Sequence, residues 1–231
     1  MIDLALTLGW LVVLAGAVVV VITLQARGVR STYLRDLLHI GAGVWVLGWP
    51  LWRGWLAPTA LVLVVAATTA VVPALATRSD WARRFVTSVT GSDERYAGLR
   101  HYTLAFLVLT PIGVLWAPFP AAAGLLALAW GDGPGGAVGR RFGRHSYRTR
   151  GAKQKSVEGS VAVMVGAGGG ALLAASIFGV APHAIGSRLW VALGLGVSAA
   201  LAEALSPRGL DNAIVPAAVF AVALLVMGSL S

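Results

Sequence analysis

Apolar residues in this chain come in long blocks separated by short polar stretches, not in the strict alternation of a half-buried strand. Eight blocks stand out, at roughly 4–24, 37–52, 54–76, 102–117, 119–130, 157–180, 187–204 and 213–230. The first, third, sixth, seventh and eighth are long enough to cross a bilayer, whereas the second, fourth and fifth fall short of the ~20 residues a spanning helix usually needs. Tilting against neighbours, thinned ends or breaks at Pro111 and Pro120 would accommodate the short ones. The pattern predicts an all-α polytopic transmembrane helical bundle of about eight spans, built as a single integral membrane domain over residues 1–231. No Lys or Arg precedes the first block, and no clear small-residue cleavage site follows it, so it reads as a span and not as a leader.

Composition agrees. Charged residues make up 12% of the chain and hydrophobic residues 58%, against about 25% charged in soluble domains. That excludes a disordered chain and argues against a soluble globular one. There is no cysteine, hence no disulfide framework, thiolate metal site or cysteine nucleophile.

The net charge of +9 is explained by topology. With both termini outside, the inside loops hold Arg27, Arg30 and Arg35, then the basic residues of 77–100 and 131–156, and Arg208. Only Arg53 and Arg188 of the 18 Lys and Arg residues fall outside. Such asymmetry is a positive-inside signal. It puts the basic loops in the cytoplasm, across the inner membrane if the cell is bacterial. The basic loops do not set aromatics among their basic residues in the way a stacking surface would, so a nucleic-acid partner is not expected.

Most acidic residues share the inside face, several of them where a loop meets a span. Asp132 follows the fifth block, Glu158 opens the sixth, Glu203 sits near the inner end of the seventh, Asp211 precedes the eighth, and His39 lies one turn into the second. Ionisable groups at membrane depth are costly unless paired, hydrated or bound to a cation. Convergence of these residues would build one cytoplasm-facing pocket.

The stretch from Gly131 to Arg144 is the richest in chemistry. Gly131, Gly133, Gly135, Gly136, Gly139 and Gly143 are six glycines in thirteen positions. A loop of this kind lets backbone N–H groups cradle phosphate oxygens. Arg140, Arg141 and Arg144 supply planar phosphate donors, and Asp132 supplies a hard carboxylate for Mg²⁺. The stretch is read as a cytoplasmic nucleotide-binding loop at about 131–156. Gly131, Gly133 and Gly136 match G-x-G-x-x-G, but a membrane span and not a strand precedes them, so the dinucleotide fold is rejected.

Three further segments have both structural and functional readings. Ser156 and Glu158 suit an N-cap and a first helical turn, while Lys155 at a helix N-terminus suits phosphate. Asp211 or Asn212 suits a cap, which leaves Glu203 unexplained inside an apolar helix end. Gly41, Gly43 and the Gly166–Gly170 run suit close helix packing. Several of the nine tryptophans near block ends suit an interfacial belt.

Taken in order, these motifs resemble the CTP-dependent lipid-alcohol kinase family, which includes dolichol kinase, phytol kinase and the CTP-dependent diacylglycerol kinase and is related to phosphatidate cytidylyltransferases. The resemblance rests on His39-Ile40-Gly41-Ala42-Gly43, Gly98-Leu99 with Tyr102, Gly131-Asp132 with Gly139-Arg140-Arg141-Phe142-Gly143, Lys155 to Ser160, and Glu203 with Asp211-Asn212. It covers the chain from about residue 35 onward. The family often has Arg-Lys ahead of the histidine, whereas here Arg35 is followed by Asp36. The C-terminal His-Gly-Gly and Asp-Arg-x-Asp signature of the cytidylyltransferases is absent.

The resemblance implies Mg²⁺-dependent transfer of the γ-phosphoryl group of CTP to a membrane-embedded polyprenol, phytol, farnesol-type alcohol or diacylglycerol. It implies a metal role for Asp132, with Glu203 or Asp211 as further ligands, and phosphate contacts from Lys155, Arg140 and Arg141. The glycines at 131, 133, 135, 136 and 139 and Ser156 would line the nucleotide. Glu158 and Asn212 would orient nucleotide or metal, and His39 or a carboxylate would orient or deprotonate the lipid hydroxyl. The rival readings are a CDP-lipid synthase resembling the cytidylyltransferases, and a small membrane transporter or scaffold.

Overall fold

The computed structural model describes residues 1–90, 93–149, 154–179, 185–207 and 209–230. Arg150, Lys153 and Arg208 of the charge pattern lie outside the described residues, as do the side chains of Asp93, Glu94 and Arg95. Helices α1 (Ile2–Ala26), α2 (Ser31–Leu47), α3 (Leu56–Leu75), α4 (Asp80–Thr90) and α5 (Asp93–Leu115) form the first half. Then come α6 (Pro118–Leu126), a π-helical stretch (Ala127–Asp132), α7 (Gly133–Phe142), α8 (Val157–Ile177), α9 (Ile185–Leu205) and α10 (Asp211–Leu230). A two-residue antiparallel pair, β1 (Ser146–Tyr147) and β2 (Lys155–Ser156), closes the connection into α8.

Six helices are long and apolar enough to cross a membrane: α1, α3, α5, α8, α9 and α10. Helix α2 has 17 residues, and α6 is short but continues through the π stretch into α7. Every residue of α6 from Phe119 to Leu126 is buried, so this segment is the axis of the bundle. Around it pack Trp45, Val46, Phe106, Leu109, Ala167, Ala171, Leu195 and Val219. The outer surface exposes Leu4, Val12, Leu63, Val165 and Leu225, as a bundle bathed in lipid must.

Two expected loops are helical. The basic 77–100 segment contains α4 and the first turns of α5. Within it Ala82, Ser88 and Val89 are buried, while Trp81, Arg83 and Arg84 stay exposed. The glycine-rich stretch is also not a loop: its residues 133–142 form α7. Glycine in a helix interior costs about 1 kcal/mol relative to alanine, and propensity alone argues against a helix here. Packing overrides it. A Cβ on Gly135 would run into the Val163 side chain of α8, and one on Gly139 would lie 3.1 Å from Ser156 Oγ. Helix α8 reciprocates with its own glycines: a Cβ on Gly166 would overlap the Trp130 carbonyl, and one on Gly170 would lie 2.8 Å from Leu126 Cβ. The Gly166–Gly170 run is thus a packing face. Gly43 packs against the Trp130 indole, but Gly41 faces open space.

Pro111 does not break the fourth predicted span, since α5 runs through it to Leu115. Pro118 and Pro120 sit in the first turn of α6, where missing N–H groups cost nothing. The tryptophans divide: Trp55, Trp81, Trp116 and Trp190 are exposed near helix ends, whereas Trp45, Trp49 and Trp52 are buried.

Candidate active site

One end of the bundle holds a cavity of about 1060 Å³. Its walls come from α2, the start of α5, the end of the π stretch, α7, the β pair with the first turn of α8, and the start of α10. The opposite end is marked by Asp3, whose carboxylate accepts the Arg53 backbone N–H at 3.0 Å.

Each wall is positioned by local logic. Ser156 caps α8 by accepting the Gly159 N–H at 3.1 Å. This N-terminus opens beside Lys155, which both lines the cavity and bonds to α9. The Lys155 ammonium donates to Glu203 Oε1 at 2.6 Å and also to the Glu203 carbonyl. Both side chains are mostly buried, at 11% and 15% exposed. Lys155 thereby adds a second donor to a carbonyl in the last turn of α9, which also accepts the Ser206 N–H at 3.3 Å.

On the facing wall, Asp36 of α2 pairs with Arg140 of α7 and, at 3.5 Å, with Arg35. The Asp36 side chain is 9% exposed and that of Arg140 40%. Sequence reasoning met Asp36 only as a departure from the family's Arg-Lys pair. The structure makes it the partner of a predicted phosphate-binding arginine. The signal available was a lone carboxylate where the family often carries a base.

Asp132 stands at the end of the π stretch. A π turn inserts one residue into the helical register and re-aims the side chains beyond it, and such turns recur at functional sites. Asp132 makes no side-chain cap hydrogen bond, and its carboxylate has no hydrogen-bonding or ion-pair partner among the described residues. It feels the negative fields of Asp211 and Glu203 and the positive ones of Lys155 and Arg35. One Asp211 oxygen accepts the Asn212 N–H at 3.1 Å.

Beside them lies a neutral network. The Asn212 amide donates to the Gly98 carbonyl at 2.7 Å, which turns its oxygen toward His39 Nε2, 3.5 Å away. The His39 ring packs on Tyr102 with centroids 3.9 Å apart, and the Tyr102 hydroxyl donates to the His39 carbonyl at 2.9 Å. Gly98, Tyr102, His39 and Asn212, scattered over more than a hundred positions, meet at one point.

The cavity therefore gathers His39, Asp132, Gly133, Gly135, Gly136, Gly139, Arg140, Lys155, Ser156, Asp211 and Asn212. Glu203 stands behind Lys155. Three predicted residues lie elsewhere. Gly131 packs against Val163 and Ala167 of α8. Arg141 points away, its guanidinium 5.5 Å from the Phe142 ring centre. Glu158 turns to His145, accepting from Nδ1 at 2.8 Å on the outer side of the connection. Helical geometry explains all three: successive residues of a helix point about 100° apart, so not every neighbour of a lining residue can face the cavity. Among the described residues, no three acidic or imidazole side chains converge as a ready-made metal cage.

An apolar helical bundle with a polar cavity of mixed charge at one end defines an integral membrane protein with a candidate active site in that cavity. No protein-family model and no solved structure matches this chain. It is 30% identical over 191 residues to the phytol kinase of Synechocystis sp. (strain ATCC 27184 / PCC 6803 / Kazusa), covering 79% of this chain and 74% of that protein. The chain belongs to the lipid-alcohol kinase family and is a phosphotransferase.

Proposed function

We propose that the protein is a CTP- and Mg²⁺-dependent kinase that phosphorylates the hydroxyl of a membrane-embedded lipid alcohol at the cytoplasmic face. The observation that carries this reading is the cavity's charge. Arg35, Arg140 and Lys155 face Asp36, Asp132 and Asp211, with Glu203 behind Lys155, so the ensemble sums to −1 with neutral histidines. Asp36 and Glu203 are spent on the cations, which leaves Asp132 and Asp211 unneutralised. A triphosphate entering this field is repelled, and a divalent cation reverses the sign to +1.

The donor set fits that cation. Mg²⁺ is usually bound through one or two carboxylates plus substrate phosphates and water, and Asp132 and Asp211 supply the carboxylates without the third ligand of a full cage. Bound there, it would neutralise charge on the phosphates during transfer. The chain's own residues do the rest. Arg140 and Lys155 keep unused N–H groups for phosphate oxygens. Gly133, Gly135 and Gly139 hold α7 tightly against its neighbours, and with Gly136 they line the cavity wall. Asn212 orients His39, which sits 7% exposed at the cavity wall and orients the acceptor hydroxyl or takes its proton. Phosphoryl transfer asks mainly for such positioning.

The test uses purified protein, Mg²⁺, γ-labelled CTP or ATP, and a panel of lipid alcohols. The expected result is label in a lipid with CDP released, lost in Asp132→Asn at unchanged folding. Release of pyrophosphate with α-label in lipid would replace this reading with CDP-lipid synthesis. Full turnover by Asp132→Asn would refute the metal assignment.

A further inference from the structure

A second concavity, about 490 Å³, lies on the lateral surface between α9 and α10. From the α9 side it is lined by Gly194, Val197, Ser198, Leu201 and Leu205, and from the α10 side by Ile214 and Ala218. Nothing in the site described above uses it.

Its register on α10 connects it to the polar cavity. Asp211, Ile214 and Ala218 stand at i, i+3 and i+7, which is one stripe of a helix. The top of that stripe lines the polar cavity, and the two residues below it line the groove. Asp211 is thus where the two meet. On α9 the stripe Gly194–Leu205 covers eleven residue steps, or about 16 Å at 1.5 Å per residue. One leaflet of hydrocarbon is about 15 Å, half of a bilayer core. A groove one leaflet long, apolar, open to the side and headed by a carboxylate suits a lipid whose polar end is at the interface.

Helices α9 and α10 pack directly on each other, so the concavity between them is one furrow with a single helix on each side, a shape suited to one hydrocarbon chain. We propose that the α9–α10 groove holds the tail of a single-chain lipid alcohol and delivers its hydroxyl beside Asp211, and that a two-chain diacylglycerol does not fit. This rests on the lipid-alcohol kinase reading above and names the acceptor class for it.

The test is photolabelling of the full chain in nanodiscs by a long-chain isoprenoid alcohol carrying a diazirine in its tail, with adducts mapped by peptide mass spectrometry. Adducts are expected on 194–205 and 214–218, suppressed at least fivefold by excess unmodified alcohol and less than twofold by diacylglycerol. Ser198→Trp, which fills the groove, should cut groove labelling at least fivefold. Val165→Trp, on the lipid-exposed face of α8, should not. Adducts spread evenly over the lipid faces of α1 and α3, or labelling indifferent to Ser198→Trp, would overturn the groove. Equal competition by diacylglycerol would overturn the single-chain assignment. Labelling needs no nucleotide and no turnover, so the two readings fail separately. Groove adducts without transfer from CTP would count against the kinase reading alone. Transfer with adducts elsewhere would count against the groove alone.

Discussion

Removing the Asp36–Arg140 pair separates the structural role of Arg140 from its chemical one. The pair joins α2 to α7 across the cavity, with Asp36 9% exposed and Arg140 40%. Exposed pairs contribute about 0–1 kcal/mol, and breaking a fully buried one costs about 3–5 kcal/mol. One buried and one half-open partner put the coupling between these limits, at about 1–2 kcal/mol. For a chain of this size each kcal/mol moves the thermal midpoint by about 2–4 °C.

The assay is a double-mutant cycle of Asp36→Asn, Arg140→Met and the double variant, read by thermal unfolding in detergent and by steady-state kinetics. Each single change should lower the midpoint, and the double should fall little further than either. The kinetics should split. Arg140→Met removes phosphate contacts, so the nucleotide KM should rise by about tenfold, equivalent to one charge-assisted hydrogen bond of about 1.4 kcal/mol. Asp36→Asn removes a like charge from the path of the triphosphate and leaves the guanidinium in place, so the KM should stay level or fall. Additive midpoint shifts would refute the coupling. A KM that rises equally in both variants would refute the division of roles.

Gly166→Leu should prevent a monodisperse folded protein on size exclusion, because a Cβ there would overlap the Trp130 carbonyl; Gly169→Leu, with nothing within 4 Å of its Cβ position, should elute and melt like the wild type. Asn212→Ala removes the bond to Gly98 and the support of His39. It should lower kcat by about ten- to a hundredfold, at or below the low end of what a positioned acid–base group itself supplies, and leave the nucleotide KM within about twofold. A pure KM effect would return Asn212 to nucleotide binding. Chelation should abolish turnover with Mg²⁺ restoring it, while leaving photolabelling by a lipid alcohol unchanged, since the carboxylates of Asp132 and Asp211 would lose their counter-ion without any change in the apolar groove.

The helical fold was legible because a lipid-exposed bundle writes itself in block length and composition. The predicted and observed bounds differ by three residues or fewer at 157–180 against α8 and 187–204 against α9, whereas α2 and α5 begin six and nine residues before the blocks that predict them. Hydropathy could not detect α4, which buries one stripe, Ala82, Ser88 and Val89, and leaves its arginines in solvent. Among the residues lining or backing the cavity, Asp132 and Glu203 stood out by the cost of a carboxylate at an apolar helix end, whereas Asp211 also had a capping role to explain it. The pairings were not legible. That Lys155 reaches Glu203 and Arg140 reaches Asp36 depends on which helices are neighbours, and single-chain spacing is silent on that. Helix phase was equally hidden. Arg140 and Arg141 are indistinguishable by type, and only the packing of α7 on α8 turns one inward and the other out.

The glycines of α7 show how one composition serves two geometries. A run of six in thirteen positions reads as a loop that wraps phosphate, because glycine's usual cost in a helix argues against a helix there. Here the same missing side chains let α7 lie against α8 so closely that Gly135 meets Val163 and Gly139 meets the cap of α8. The N-terminus of α8, with Lys155 beside it, is thereby held across from Arg140 on one rigid support. Cationic groups on packed helices are more fixed than the same groups on a loop, and transfer chemistry rewards fixed positions. The composition thus marks the site for a reason other than backbone freedom: close packing needs glycine as much as a cradle does. The placement of Asp132 obeys the same constraint, since the π turn before Gly133 sets the phase in which α7 meets α8 and leaves the carboxylate facing the cavity without a partner among the described residues.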